Sequence, residues 1–157
     1  MTIADQIDSY LRAILATIRQ GATVTLLNGS THTFLTDIGC RVEKHQEYAE
    51  RADERPYIVL FTGKNSSVTD DTVECGSEKH LQDISVEAVL DDDKAGAQGD
   101  AAKADLATAL KSDPWFGGLI DELQGFETDV DIQVGDEIFS IVRASFTAMY
   151  FCPYGSE

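Results

Sequence analysis

The chain has 157 residues with 12 basic and 28 acidic side chains, and its formal net charge is −16. This length suffices for one domain with a core that needs no disulfide or metal, so we expect a single domain over residues 1–157. The 43% hydrophobic and 25% charged residues exclude a disordered or fibrous class. The sequence has no membrane-span window, signal peptide or basic patch, and so predicts a cytoplasmic protein that binds neither membranes nor specific nucleic acid.

The first predicted element is an amphipathic helix over residues 3–20. Its apolar residues recur at three-and-four spacing, Thr2 and Asp5 are placed to form a capping box, and Gly21 supplies the end. Residues 21–39 are rich in Thr, Asn, Ser and Gly, which predicts a loop or a loop with a short strand.

Two strands are predicted in the middle of the chain. Residues 56–61 form a short apolar run closed by Gly63, which is typical of a strand buried on both faces. Residues 79–91 alternate instead, and one side of this strand is apolar, formed by Ile84, Val86, Ala88 and Leu90. Between the two runs, residues 65–67 are typical of a hairpin turn.

A second helix and two further strands complete the pattern. We expect Asp100 to cap a helix that ends before Pro114 and buries Ala102, Leu106, Ala109 and Leu110. The next strand has Phe126, Val130, Ile132 and Val134 on one side, and residues 138–151 form the longest strand. The order predicts an α+β domain, an antiparallel-rich mixed sheet with two helices packed on one face. Its other face, part polar and part acidic, meets water or a partner.

No motif in the sequence indicates catalysis. Gly-rich phosphate loops, Gly-x-Ser-x-Gly elbows and His-Glu-x-x-His helices are absent. Cys40 precedes His45 by five residues, and Cys75 precedes His80 by five. Zinc sites of this kind usually pair like ligands at short spacing, so isolated thiols and histidines are the favoured interpretation. We therefore expect no enzymatic activity, no cofactor and no metal.

Two acidic clusters are candidate partner-binding sites. Asp91, Asp92 and Asp93 follow a predicted strand, where a solvated loop is favoured over a Mg²⁺ or Ca²⁺ site because the spacing of a calcium loop is missing. Glu127, Asp129 and Asp131 share one side of a strand, with like charges about 6–7 Å apart. They form either an exposed sheet face or a face that repels nucleic acid or meets a basic partner, and both interpretations remain open.

Several segments together resemble the tail terminator proteins of long-tailed bacteriophages, the group that includes minor tail protein U. The resemblance rests on residues 99–106 (GDAAKADL), residues 113–119 (DPWFGGL), the acidic alternating strand, and the long strand through Phe146 and Tyr150 to Pro153-Tyr154. Residues 36–39 (TDIG) and the strand from Pro56 to Gly63 are compatible with it. The polar insertion over residues 43–55 departs from the pattern.

The resemblance implies a structural virion protein at the head-proximal end of the tail, which meets its partners in the host cytoplasm during assembly. Such a subunit forms a ring, commonly of six copies, that caps the tail tube, stops its polymerisation and presents a surface for head joining. Its partners would be its own copies, the tail tube protein and a head-completion or connector protein. If DNA passes through the ring, Glu127, Asp129 and Asp131, or residues 91–93, are expected to line the channel or an end face, and salt should then favour assembly.

Three alternatives remain. The nearest is another neck component of the virion, such as a head-completion or stopper protein. An enzyme would require Cys40, His45, Cys75 and His80 to converge, or a carboxylate pair with a raised pKa in a cleft. An inhibitor that mimics DNA would need carboxylates at phosphate spacing over a long face, whereas this chain concentrates them on one short strand.

Overall fold

The computed structural model describes residues 2–44, 54–68 and 77–153. Within these residues lie two helices and seven strands: α1 (Ile3–Leu15), β1 (Thr23–Thr25), β2 (Thr31–Thr33), β3 (Val42–Lys44), β4 (Tyr57–Val68), β5 (Ser77–Asp91), α2 (Ala97–Lys111), β6 (Glu122–Val134) and β7 (Ile138–Pro153). Neither described helix, of 13 and 15 residues, combines the length and the apolar content that a bilayer crossing requires.

Five of the strands form one mixed sheet in the order β3-β4-β5-β7-β6. β3 runs parallel to β4, and the other neighbours are antiparallel. β1 and β2 form a separate antiparallel ribbon. Both helices pack on one face of the large sheet, which confirms the predicted α+β class and its antiparallel-rich sheet.

The core lies between the helices and this face of the sheet. The alternating side chains predicted for β5 are buried, as are the four predicted apolar residues of α2. They pack with Ile7, Leu11 and Leu15 of α1 and with the even-numbered residues of β7 from 142 to 150. On β6, Phe126 and Val130 face the core as predicted, whereas Val134 at the strand end is 65% exposed.

Helix α1 begins as predicted but ends earlier. The Thr2 hydroxyl accepts the Asp5 amide, and the Asp5 carboxylate accepts the Thr2 amide, so the capping box is formed. The hydrogen bonds that the Thr2 hydroxyl and the Thr2 amide donate to the Asp5 carboxylate lower its pKa. The prediction that the helix continues to residue 20 is wrong. After Leu15 the backbone tightens, and the Ile18 amide donates to the Leu15 carbonyl while the Ile18 side chain remains buried.

Residues 65–67 do not form the predicted turn. They belong to β4, which pairs with β5 as far as Val68 after a register shift between Thr62 and Asn65. The predicted loop over residues 21–39 holds the β1–β2 ribbon and a 3₁₀ turn at Ile38–Cys40. The strand predicted over residues 56–61 begins at Tyr57 and is buried on both faces from Tyr57 to Leu60, which confirms that interpretation.

Helix α2 begins three residues before the predicted cap. Its N-cap is Gly96, with a φ of 73°, and Asp100 lies in the first turn. The amides at the start of α2 are instead accepted by Asp92 and Asp93 of the preceding loop. The prediction of Asp100 as the cap is therefore wrong, because carboxylates further back in the chain reach the same backbone groups.

Two glycines allow close packing of the helices. A Cβ at Gly39 would lie 2.3 Å from the Leu15 carbonyl oxygen. A Cβ at Gly99 would lie 2.8 Å from Val130 Cγ1 and 2.9 Å from Ser140 Oγ. Both positions therefore require glycine where a helix or its end approaches another segment.

Candidate functional site

The sheet face opposite the helices, here called the open face, is more apolar than the sequence suggested. It carries an apolar patch in which Tyr57, Val59 and Val89 are buried and half-buried residues pack around them, namely Phe61, Phe139 and Ile141. A depression of about 310 Å³ lies beside Phe61 and is lined mainly by small residues, among them Gly63, Ser85, Gly125, Ser145 and Thr147. Tyr57, Val59 and Val89 are only 0–4% exposed, so the accessible apolar part of the open face is formed by the half-buried Phe61, Phe139 and Ile141.

Arg55 covers one end of the apolar patch. Its guanidinium lies 4.0 Å from the centre of the Phe139 ring, and its side chain is only 2% exposed. Nη1 donates to Asp91 Oδ1 at 2.9 Å and to Glu137 Oε2 at 3.3 Å. Both carboxylates are largely exposed, so the charge of Arg55 is compensated at the rim of the patch.

Glu127, Asp129 and Asp131, here called the acidic row, lie on the open face of β6. All three are exposed, which confirms the predicted exposed side of this strand. β6 is an edge strand, because β7 is its only neighbour in the sheet of the described residues. The acidic row therefore lies at the border of the open face and not at its centre.

Arg143 is the base that faces the acidic row. It lies opposite Asp129 in the pairing of β6 with β7, and its Nε donates to Glu87 Oε1 at 2.6 Å. The hydrogen bond to Glu87 raises the pKa of Arg143, and the charges of Asp129 and Asp131 act in the same direction. The sequence contains no other lysine or arginine between residues 112 and 143, so most of the negative charge of this edge is uncompensated within the strand pair.

Residues 91–93 act mainly as a structural cap for α2. Asp92 Oδ2 accepts the Ser140 hydroxyl at 2.5 Å and the Gly99 amide at 2.8 Å, and Oδ1 accepts the Gln98 amide at 3.0 Å. Asp93 Oδ1 accepts the Gly96 amide at 2.9 Å. The favoured interpretation of a purely solvated loop is therefore wrong for Asp92, which turns inward and ties the helix start to β7.

The environment of Asp92 has two opposing effects on its acidity. Burial raises the pKa of Asp92, whereas the hydrogen bonds from Ser140 and from the amides of Asp93, Gly99 and Gln98 lower it. The hydrogen bonds prevail, so the pKa lies below the usual value and the carboxylate is favoured in the folded state. Asp91 differs, since it is exposed and pairs with Arg55.

Asp105 of α2 is fully buried and was not among the predicted site residues. Its Oδ2 accepts the Thr36 amide at 2.8 Å and the Thr36 hydroxyl at 2.7 Å, and the carboxylate also accepts the Leu35 amide. His32 Nε2 lies 3.0 Å from Oδ1. The available signal was an aspartate within the apolar stripe of the helix, between Ala102 and Leu106.

A second polar network joins β4, β5 and β7 on the helix side of the sheet. The Asn65 side-chain amide donates to Gln82 Oε1 at 2.8 Å and to the Tyr150 hydroxyl at 2.9 Å. His80 Nδ1 lies 3.1 Å from Asn65 Oδ1, and the His80 ring stacks on Tyr150. This network explains why β4 continues through residues 65–67, although Asn and Ser are common in turns.

The cysteine and histidine pairs have different outcomes. Cys40 is exposed, and its thiol donates to the Pro56 carbonyl, whereas His80 belongs to the buried network described above. His45 and Cys75 lie outside the described residues. In the part of the chain that the structure describes, no three His, Cys, Asp or Glu side chains are grouped so as to hold a metal ion.

No protein-family model matches the chain, and no curated protein gives a significant match.

Proposed function

We propose that the chain is a structural subunit of a long-tailed phage, which closes into a ring and caps the tail tube. The cap ends tube polymerisation and offers the surface to which the head is joined. One observation carries the proposal. The helices cover one face of the sheet, and the open face carries half-buried apolar side chains, the depression beside Phe61 and the acidic row. Apolar areas with a charged rim are typical of surfaces that bind other proteins.

The segments that carry the resemblance also act together in the fold. Asp105 of the 99–106 segment accepts two hydrogen bonds from Thr36 of the 36–39 segment. Phe116 of the 113–119 segment is buried and contacts both Tyr10 of α1 and Phe146 of β7 through its ring. The segments on which the resemblance rests therefore contact one another within one folded unit, which supports the resemblance.

The proposed task constrains the surfaces of the subunit. A closed ring of identical subunits needs two different patches that fit each other. A cap must also bind the last tube ring while offering no site for a further tube subunit, which requires an unfavourable contact on its outer side. Two unlike sheet faces and two unlike sheet edges give this subunit the different surfaces from which such patches can be formed.

Tail length measured by electron microscopy tests the proposal. Tails assembled without the protein should be overlong, and adding it during assembly should restore a uniform length. Tubes of normal length that lack heads would instead identify a connector, and unchanged virions would contradict both roles.

A variant pair tests whether the open face takes part. Ser145 is exposed in the depression on the open face, and Thr25 is exposed on the ribbon. Ser145→Arg fills the depression without entering the core, so we expect it to fail to restore tail length. Thr25→Arg adds the same charge elsewhere and should restore it. Equal activity of the two variants, both folded by circular dichroism, would exclude the open face from the contact.

A further inference from the structure

The two edges of the large sheet differ in charge, because the β6 edge is acidic and the α1–β3 edge carries exposed bases among acidic residues. At the β6 edge, residues 121–137 hold seven acidic side chains and no basic one. All seven are exposed, namely Asp121, Glu122, Glu127, Asp129, Asp131, Asp136 and Glu137. Glu137 pairs with Arg55 and Asp129 lies opposite Arg143, so the edge is predominantly but not uniformly negative.

The opposite edge, formed by β3 with α1 beside it, carries exposed bases. Arg12 and Lys44 meet at Asp8, with N–O distances of 3.3 and 3.8 Å. The Gly39 amide donates to the Ile18 carbonyl, and this contact brings the chain around Arg19 close to the chain around Arg41. The four bases are exposed, whereas the Asp8 side chain is only 14% exposed. Asp5, Asp37 and Glu43 also lie here, so this edge is mixed in charge and provides the cations that the β6 edge lacks.

The backbone of β6 is also available on its outer side. Among the described residues no strand pairs with that side, so every second N–H and C=O of β6 points outward. The strand order and directions make β6 antiparallel to β3. In a continuous head-to-tail arrangement, the β6 of one copy thus approaches the β3 edge of the next copy in the antiparallel sense.

We propose that copies of this chain associate edge to edge, with the acidic outer edge of β6 against the exposed bases of the α1–β3 edge of the next copy. The inference rests on the ring of the proposed function and specifies which surfaces close it. The acidic side chains of β6 repel the β6 of a second copy, so they disfavour symmetric pairing of two β6 edges. The head-to-tail contact between β6 and the α1–β3 edge is then the favoured arrangement. The charge on β6 therefore determines the orientation of the neighbour.

This arrangement predicts a salt dependence opposite to that of a channel lining. A ring whose acidic groups face one another across a channel becomes more stable as salt screens their repulsion. A contact between opposite charges weakens instead, since the same screening reduces attraction. Sedimentation velocity of the purified chain between about 0.05 and 0.5 M salt distinguishes the edge-to-edge contact from the channel lining. We expect weaker self-association at high salt.

Charge reversal provides the decisive experiment. Glu127→Lys with Asp131→Lys should weaken self-association by about tenfold or more. Arg12→Glu with Arg19→Glu changes the α1–β3 edge and should weaken self-association to a similar extent. The chain with all four substitutions should regain association, because the two edges then attract with inverted polarity. The control pair is Asp83→Lys with Asp100→Lys, which changes the net charge equally on a central strand and on α2.

Each outcome bears on the inference. Circular dichroism and thermal unfolding first establish that the variants are folded. Loss of self-association in both edge variants, and its recovery in the chain with all four substitutions, supports the contact. A small effect of the control pair on self-association supports it as well. Wild-type-like assembly of both edge variants overturns it, as does a wild-type chain that stays monomeric. If the reversed variants assemble normally and still give tails of uniform length, the edge contact is wrong while the capping role stands.

Discussion

Replacement of Asp105 by alanine should destabilise the fold more than any other single carboxylate loss in α2. Asp105 is fully buried and accepts the amide and the hydroxyl of Thr36, which is itself buried. A buried donor left without an acceptor costs about 1–3 kcal/mol, so the two Thr36 groups give about 2–6 kcal/mol together. For a chain of this length, each kcal/mol lost from the free energy of unfolding lowers Tm by about 2–4 °C, so a loss of about 4 kcal/mol should lower Tm by about 8–16 °C.

Urea unfolding followed by circular dichroism measures this loss, with two variants for comparison. Asp105→Asn keeps one acceptor oxygen but places an amide among donors, so we expect an intermediate loss of about 1–3 kcal/mol. Asp100→Ala removes an exposed carboxylate from the first turn of the same helix and should cost no more than about 1 kcal/mol. If Asp105→Ala loses no more stability than Asp100→Ala, the reasoning about buried donors is refuted.

Three further predictions concern other parts of the fold. Gly39→Ala should cost more than about 2 kcal/mol in urea unfolding, because its Cβ would lie 2.3 Å from a backbone oxygen, and a loss under about 0.5 kcal/mol would contradict that packing. Because the pKa of Asp92 is lowered in the folded state, its carboxylate stabilises the fold at pH values above the unfolded-state pKa of about 4. This stabilisation is lost as pH falls through the folded-state pKa. The stability difference between wild type and Asp92→Asn should therefore shrink from pH 7 to about pH 3, and a constant difference would disprove it. Tyr150→Phe removes the acceptor of one Asn65 N–H, so chemical denaturation should show a loss of about 1–2 kcal/mol with unchanged secondary structure.

Local signals in the sequence predicted the start of α1 and the interiors of the helices and strands well. The capping box of Thr2 and Asp5 involves residues three apart, and the alternation of β5 reflects burial of every second side chain. The end of α1 was missed because Ile18 remains buried after the helix has ended, so the apolar periodicity continues beyond the hydrogen bonding. Periodicity reports which side chains are buried and does not by itself report how the backbone is bonded.

The remaining errors arose from contacts between distant residues. Asn65 lies in a strand because Gln82 and Tyr150 satisfy its side chain, and these partners are 17 and 85 residues away. The start of α2 depends on Asp92, which is held by Ser140 of β7. For the candidate site, the sequence predicted the exposure of the acidic row correctly. Its position at a sheet edge follows from strand order, which no pattern within a single strand contains.

The interior position of β7 in the sheet has a consequence for how the chain folds during synthesis. β7 follows all other described strands in the sequence, yet it lies between β5 and β6 and pairs with both along most of its length. During synthesis, β6 has no neighbour in the sheet until residues 138–153 leave the ribosome. The nascent chain must therefore keep the unpaired borders of β5 and β6 from pairing with other strands, and removal of β7 should leave the three-stranded sheet β3-β4-β5 and an unpaired β6.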